Sequence, residues 1–308
     1  MATARHRLGP AVALIAVVAL AATGCGRAAD ASTGRARPAA APGPASPAAL
    51  RAVQDAAAGA LATTAAVSVS LAGATVFGGG RSSVDAAGSF DFRSLRGALT
   101  LAPAGRKVRE PVVFAPTAVY VRPPAAGGLP RGKSWMVADF SDPEALDANF
   151  PRLVAQIESL DPALTLSELV WGAGSAAPDG SETVRGRSAE RYDVTVDLNR
   201  AVAAVSGPAE VPFGRAIASE IVALGGSVGA GAAPPATMAA RVWVAGGQLA
   251  RVDLSPPGAG LGAASLVLSA LGTAVRADPP PRAQVVDVLA LGPSGERENQ
   301  NGGDSDGG

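Results

Sequence analysis

The sequence predicts an α+β domain in which one opening helix is followed by a large antiparallel sheet, with further helices packed against one of its faces. Three observations carry this. Short runs of alternating apolar and polar residues recur along most of the chain. Turn residues, not long helical stretches, separate most of them, which favours hairpins over alternating βαβ units. Where the alternation is cleanest, one side of the strand is polar, so one face of the sheet meets water.

The helix opens at Ser46, a residue type suited to N-capping, with Pro47 at the first helical position. Leu50, Val53, Ala57 and Leu61 then recur on one face. After Ala66 the period changes to two: Val67, Val69 and Leu71 alternate with Ser68 and Ser70. Ten further strands follow in the same way: "GSFDF", "GALTLAP", "PVVF", "AVYVR", "SWMVADF", "ETVRGR", "ERYDVTVDL", "ARVWVAG", "LARVDLS" and "SLVLSAL". In "RYDVTVDL", Tyr192, Val194, Val196 and Leu198 share one face, and Arg191, Asp193, Thr195 and Asp197 the other. Two helical stretches interrupt the strands, one over residues 142–160 and one over 209–226. They are expected to cover the dry face.

The ends of the chain have a different character. Arg5, His6 and Arg7 precede the apolar run Ala11–Ala22, which closes in small residues before Cys25, the order of a bacterial export signal. The run is too short for a membrane-spanning helix, which needs roughly 20 apolar residues. Ala22-Thr23-Gly24-Cys25 resembles a lipobox, with alanine where leucine is usual. Residues 1–24 are accordingly expected to be removed and the Cys25 thiol to carry a diacylglyceryl anchor, leaving the protein outside the cytoplasm on the outer face of the cell membrane. Residues 25–45 contain no aliphatic side chain larger than alanine and form a flexible tether. Residues 46–291 form the folded domain, and 292–308 a disordered polar tail.

This organisation excludes several classes of chemistry. Loss of residues 1–24 removes Arg5 and Arg7 and no acid, leaving 24 basic and 26 acidic residues, a net charge of −2. No basic field is left to attract nucleic acid. His6 is the only histidine and Cys25 the only cysteine, so the acylated mature chain has neither imidazole nor thiol. Ser-His-Asp and Cys-His catalysis and His- or Cys-ligated metals are thereby excluded, and no cofactor is implied. "GAGLGA", Gly258–Ala263, fits a dinucleotide-loop pattern, but Pro256 and Pro257 separate it from the preceding strand. Asp139, Asp142 and Glu144 read as a solvated edge instead of a catalytic pair.

Four segments carry a family resemblance: Ala118–Ser141, Val184–Leu198, Val242–Leu254 and Leu266–Val288. In this order, after a lipobox, a proline-rich tether and one helix, they resemble the actinobacterial LppX/LprG lipoproteins, which share a half-barrel fold with the LolA and LolB carriers. The resemblance implies a curved sheet with helices on its concave face and a cavity for a lipid or glycolipid between them. It brings no catalytic residues. Val113, Val119, Trp135, Val194, Val196, Val242 and Val244 are the candidates to line such a cavity. Two readings stay open at this point. The chain either binds, and transfers or displays, a lipid or glycolipid as an anchored monomer, or is a non-enzymatic module with a filled cavity that interacts with an envelope protein or acts as a sensor.

Overall fold

A computed structural model describes residues 43–75, 81–105, 107–123, 129–140, 160–204, 236–255 and 263–291; side-chain environments are not described for residues 73–75, 81 and 82. The expected helices over 142–160 and 209–226 lie outside these residues apart from Leu160, as do Cys25 and the "GAGLGA" segment except Ala263.

The first helix, α1 (Pro47–Leu61), starts where the sequence places it. The Ser46 side chain accepts a hydrogen bond from the Ala49 N–H, and proline occupies the first turn, where no N–H is missed. Its buried stripe, Ala49, Val53, Ala56, Ala57 and Ala60, is narrow in cross-section because it is mostly alanine. That lets the helix axis sit close to the strands beneath it.

Twelve strands follow among the described residues: β1 (Thr64–Thr75), β2 (Arg81–Asp91), β3 (Arg96–Pro103), β4 (Glu110–Ala115), β5 (Ala118–Val121), β6 (Trp135–Asp139), β7 (Ala173–Val184), β8 (Arg187–Asp197), β9 (Thr237–Ala245), β10 (Gln248–Ser255), β11 (Ala263–Ser269) and β12 (Val285–Asp287). They form one open sheet in the order β12-β6-β5-β4-β3-β2-β1-β11-β10-β9-β8-β7. Every neighbouring pair is antiparallel except β6 with β12. The chain thus makes two meanders, β1–β6 and β7–β11, and β1 joins them by pairing with β2 on one side and β11 on the other. With its helices on one face, this is the α+β half-barrel arrangement expected from the sequence.

Turn chemistry fixes the hairpins. Gly246 and Gly247 both have positive φ between β9 and β10, and Arg185 and Gly186 both do between β7 and β8. Paired positive φ values match the right-handed twist of the strands they join.

Two further helices, α2 (Pro162–Gly172) and α3 (Leu198–Ala204), complete the described elements of that kind. Helix α2 has no periodic signature in the sequence. Its side chains are buried nearly all round, from Pro162, Ala163 and Leu164 through Leu166, Ser167, Glu168 and Leu169, so no one-sided stripe marks it. Its start is legible in retrospect: Asp161 caps it by accepting from the Ala163 N–H at 2.9 Å, with Pro162 in the first turn.

Strand β7 was legible only in its last few residues, because "AGSAAPDGS" has turn composition. It is an edge strand with two register irregularities, a setting that tolerates Pro178. Its outer edge is not bare. Gly43 N–H donates to Pro178 O at 2.8 Å and Ser46 N–H to Ala176 O at 2.9 Å, so the segment entering α1 covers it.

Candidate functional site

Antiparallel register places inward-facing residues of successive strands in transverse rows. One row runs Tyr192, Val242, Val252, Leu266, Val69, Ala86 and Leu101. The next runs Val194, Ala240, Leu254, Ala264, Leu71 and Val84. Further towards β6, Leu99, Val112, Val121 and Met136 form one row, and Phe114, Val119 and Ala138 another. The result is an apolar floor belonging to the main hydrophobic cluster. Glu110 ends the first row as a buried carboxylate.

Helix α1 packs on this floor over β7, β9 and β10, and α2 packs against α1, α3 and β8. Beside the start of α2 a recess remains. Val69, Val252, Leu254, Ala264 and Leu266 form its floor and Asp161, Pro162 and Thr165 its wall. It holds about 240 Å³ of unfilled space continuous with solvent.

Two polar groups border this face. Tyr192 donates its hydroxyl to Glu190 Oε2 at 2.5 Å. Burial, followed by that hydrogen bond and the Glu190 charge, pushes the phenol up to about 12, so it remains a neutral donor. Asp161 is pushed up to about 6 by burial, which outweighs the helix N–H groups that favour its charged form. Because the folded-state value lies above the ordinary 3.8, the folded protein holds this proton while the unfolded chain releases it. The contribution of this group to stability is therefore full below about pH 4 and is lost as pH rises through 6, by at most about 3 kcal/mol. Asp161→Asn keeps a capping acceptor. Denaturation midpoints from pH 4 to 7 should show the variant gaining on the wild type as pH rises; parallel curves would contradict the shift.

The structure brings Val119, Val194, Val196, Val242 and Val244 to the inner face, all buried. Val113 and Trp135 are placed on the outer face instead, which corrects their assignment as cavity-lining candidates. The reason is the period of two: Val112 and Phe114 flank Val113 and point inward, as do Met136 and Ala138 beyond Trp135. Cys25 lies outside the described residues. The recess itself is lined by residues not singled out from sequence. Their signals were the alternation in "RVDLS" and "SLVLS" and the Asp-Pro pair before α2.

The outer face is polar, but not throughout. Val184, Ala189, Trp243, Ala245 and Ala250 form a separate small cluster there. Trp243 Nε1–H donates to Glu182 at 3.1 Å, and the Arg251 guanidinium lies over its ring at 4.7 Å. At the hairpin tip, Arg185 reaches Ser269 and Ser68, on strands three and four places from β8. The end of the β7–β8 hairpin is thus bent over the outer face. Nearby arginines are paired: Arg191 with Asp179 at 2.8 Å, Arg241 with Asp193 at 3.2 Å and Arg251 with Asp253 at 2.7 Å.

No family model and no curated protein matches the sequence. Among solved structures the chain is similar to LprF from Mycobacterium bovis, with 12% identity, 77% of this chain and 99% of that one covered, and a TM-score of 0.42. It is similar to the lipoprotein LppX from Mycobacterium tuberculosis at 18% identity, with coverage of 75% and 99% and a TM-score of 0.39. A LolA superfamily protein from Nitrosomonas europaea follows at 8% identity, with coverage of 75% and 94% and a TM-score of 0.24.

Proposed function

We propose that this chain is a non-enzymatic lipoprotein, anchored through Cys25 outside the cytoplasm, that holds a lipid or glycolipid chain against the apolar floor of its sheet. The observation that carries the reading is the floor itself: apolar rows continuous across many strands, with an opening left between them and the start of α2. Burying acyl chain there yields roughly 0.8 kcal/mol per methylene. The headgroup stays at the recess mouth, where Asp161 and Thr165 offer polar atoms.

The size of the recess supports a second reading. Most of that space is open to solvent, and the enclosed part has room for about one water molecule, far short of the roughly 300–1,000 Å³ typical of small-ligand pockets. Admitting a whole lipid requires α2 to lift from the floor; a domain that stays closed would act through its surface on another envelope protein. Native mass spectrometry with lipid extraction, on the chain exported by an actinobacterial host, separates the two. The carrier reading expects a stoichiometric lipid, and expects Ala264→Phe, which fills the recess, to lower occupancy at least tenfold while the fold persists. An apo mass that takes up no added phospholipid or glycolipid would favour the filled domain. Intact mass of the same material tests the anchor, since a free Cys25 thiol would refute it.

A further inference from the structure

The two meanders have their connections at two ends, and one end collects positive charge. Strand β4 is antiparallel to both β3 and β5, so the β3–β4 connection (residues 104–109) and the β5–β6 connection (residues 122–134) open at the same edge of the sheet. Arg122 N–H donates to Pro111 O at 3.0 Å, holding the start of the second connection beside the first residues of β4, which the first connection enters. The described residues of these stretches include Lys107, Arg109, Arg122, Arg131 and Lys133, among them both lysines of the chain, and no acid. The side chains of Lys107, Arg109, Arg122, Arg131 and Lys133 make no ion pair or hydrogen bond in the described structure, unlike the paired arginines of the outer face. Between Lys107 and Arg109 stands Val108, at 40% the one exposed large apolar side chain among the described residues.

Unpaired like charges gathered on one rim repel one another, and a chain of net negative charge elsewhere supplies them no partner. An outside partner of opposite sign relieves that repulsion. The alternation of cation, exposed apolar side chain and cation at a loop tip matches a surface that is anionic at the headgroups and apolar just beneath. Lysine and arginine stems lie along such a boundary with their charges outward. We infer that this rim docks the protein on an anionic lipid surface, with Val108 entering the headgroup layer. A chain of about 18 residues between Cys25 and Gly43 reaches at most roughly 60 Å, which leaves the rim free to approach the membrane that anchors it. The docking does not require the inner face to hold a lipid.

The test uses the full mature chain with Cys25→Ser, so that no acyl anchor contributes. Its partitioning is measured on vesicles of phosphatidylcholine alone and of phosphatidylcholine mixed with phosphatidylglycerol. Binding is expected on the mixed vesicles, weakening as salt is raised. Each cation at a membrane surface contributes roughly fivefold, so Lys107→Glu with Arg109→Glu should lower partitioning at least about 25-fold. Val108→Ser should lower it severalfold even at low salt. Arg51→Glu with Arg96→Glu makes the same charge change on α1 and at the opposite end of β3, and should cost no more than about twofold. Failure to bind the mixed vesicles, equal binding to neutral vesicles, or equal loss in both double variants would each overturn the proposal. So would binding of an acidic protein at this rim without any binding to vesicles.

Discussion

Phe90→Ala should lower the unfolding free energy by about 3–5 kcal/mol, as deletion of a fully buried ring does. Phe90 is 1% exposed, with ring centroids 4.9 Å from Phe92 and 5.6 Å from Phe114. The ring lies over Gly97, its cross-strand partner: a Cβ placed there would stand 2.2 Å from Phe90 Cδ2. The site therefore rejects change from both sides. Losing the ring leaves a cavity between β2 and β4, and adding a methyl at Gly97 displaces the ring. Denaturant titration checks the magnitude. A double-mutant cycle with Phe114 should return a coupling of about 0.5–1.5 kcal/mol from the edge-on contact. A loss below about 1 kcal/mol would mean that the trio is not a packing centre.

Trp243→Ala should have an effect of similar size, about 3–5 kcal/mol, but in a different place. The indole is 3% exposed on the outer face and joins Val184 and Ala189 of the bent hairpin to Ala245 and Ala250 beneath. Hydrogen exchange should show residues 182–189 losing protection while the inner floor keeps it. Trp243→Phe, which retains a ring but not the N–H donor to Glu182, should lose only about 1 kcal/mol. Uniform loss of protection throughout the sheet would show that the hairpin and the floor unfold as one.

Much of the scaffold was legible because period-two alternation survives in short strands. The alternation in "RYDVTVDL" put Tyr192, Val194 and Val196 on one face, and the structure buries all three. In "EPVVFA" the two adjacent valines face opposite ways and both are buried, so composition does not tell the inner one from the outer, and Val113 falls on the outer face. Helix α2 escaped because burial on every side erases the period that reveals a helix at a surface. Strand β7 escaped because its stability comes from pairing with β8 and with the segment Gly43–Ser46, not from its own composition. The outer cluster at Trp243 depends on a hairpin bent over strands three and four places away, a contact that no local pattern encodes. The recess combines strands near positions 69, 252 and 266 with a helix beginning near 162. Its residue types were visible in the sequence, but their convergence was not.

The seam between the two meanders sets an order of events for a chain that emerges from its N-terminus. Hairpins β1–β2, β2–β3 and β3–β4 pair neighbours in sequence and form by closing short loops. The other edge of β1 waits for β11, since Val69 meets Leu266 only after nearly the whole domain has been delivered. Until then the alternating apolar strand Thr64–Thr75 presents an unpaired margin, the kind of edge on which partly folded chains join one another. Loop closure over so long a separation is slow compared with hairpin formation. The β1–β11 pairing is thus expected late in folding, and until it closes the open margin of β1 is the part of the chain that most needs shielding.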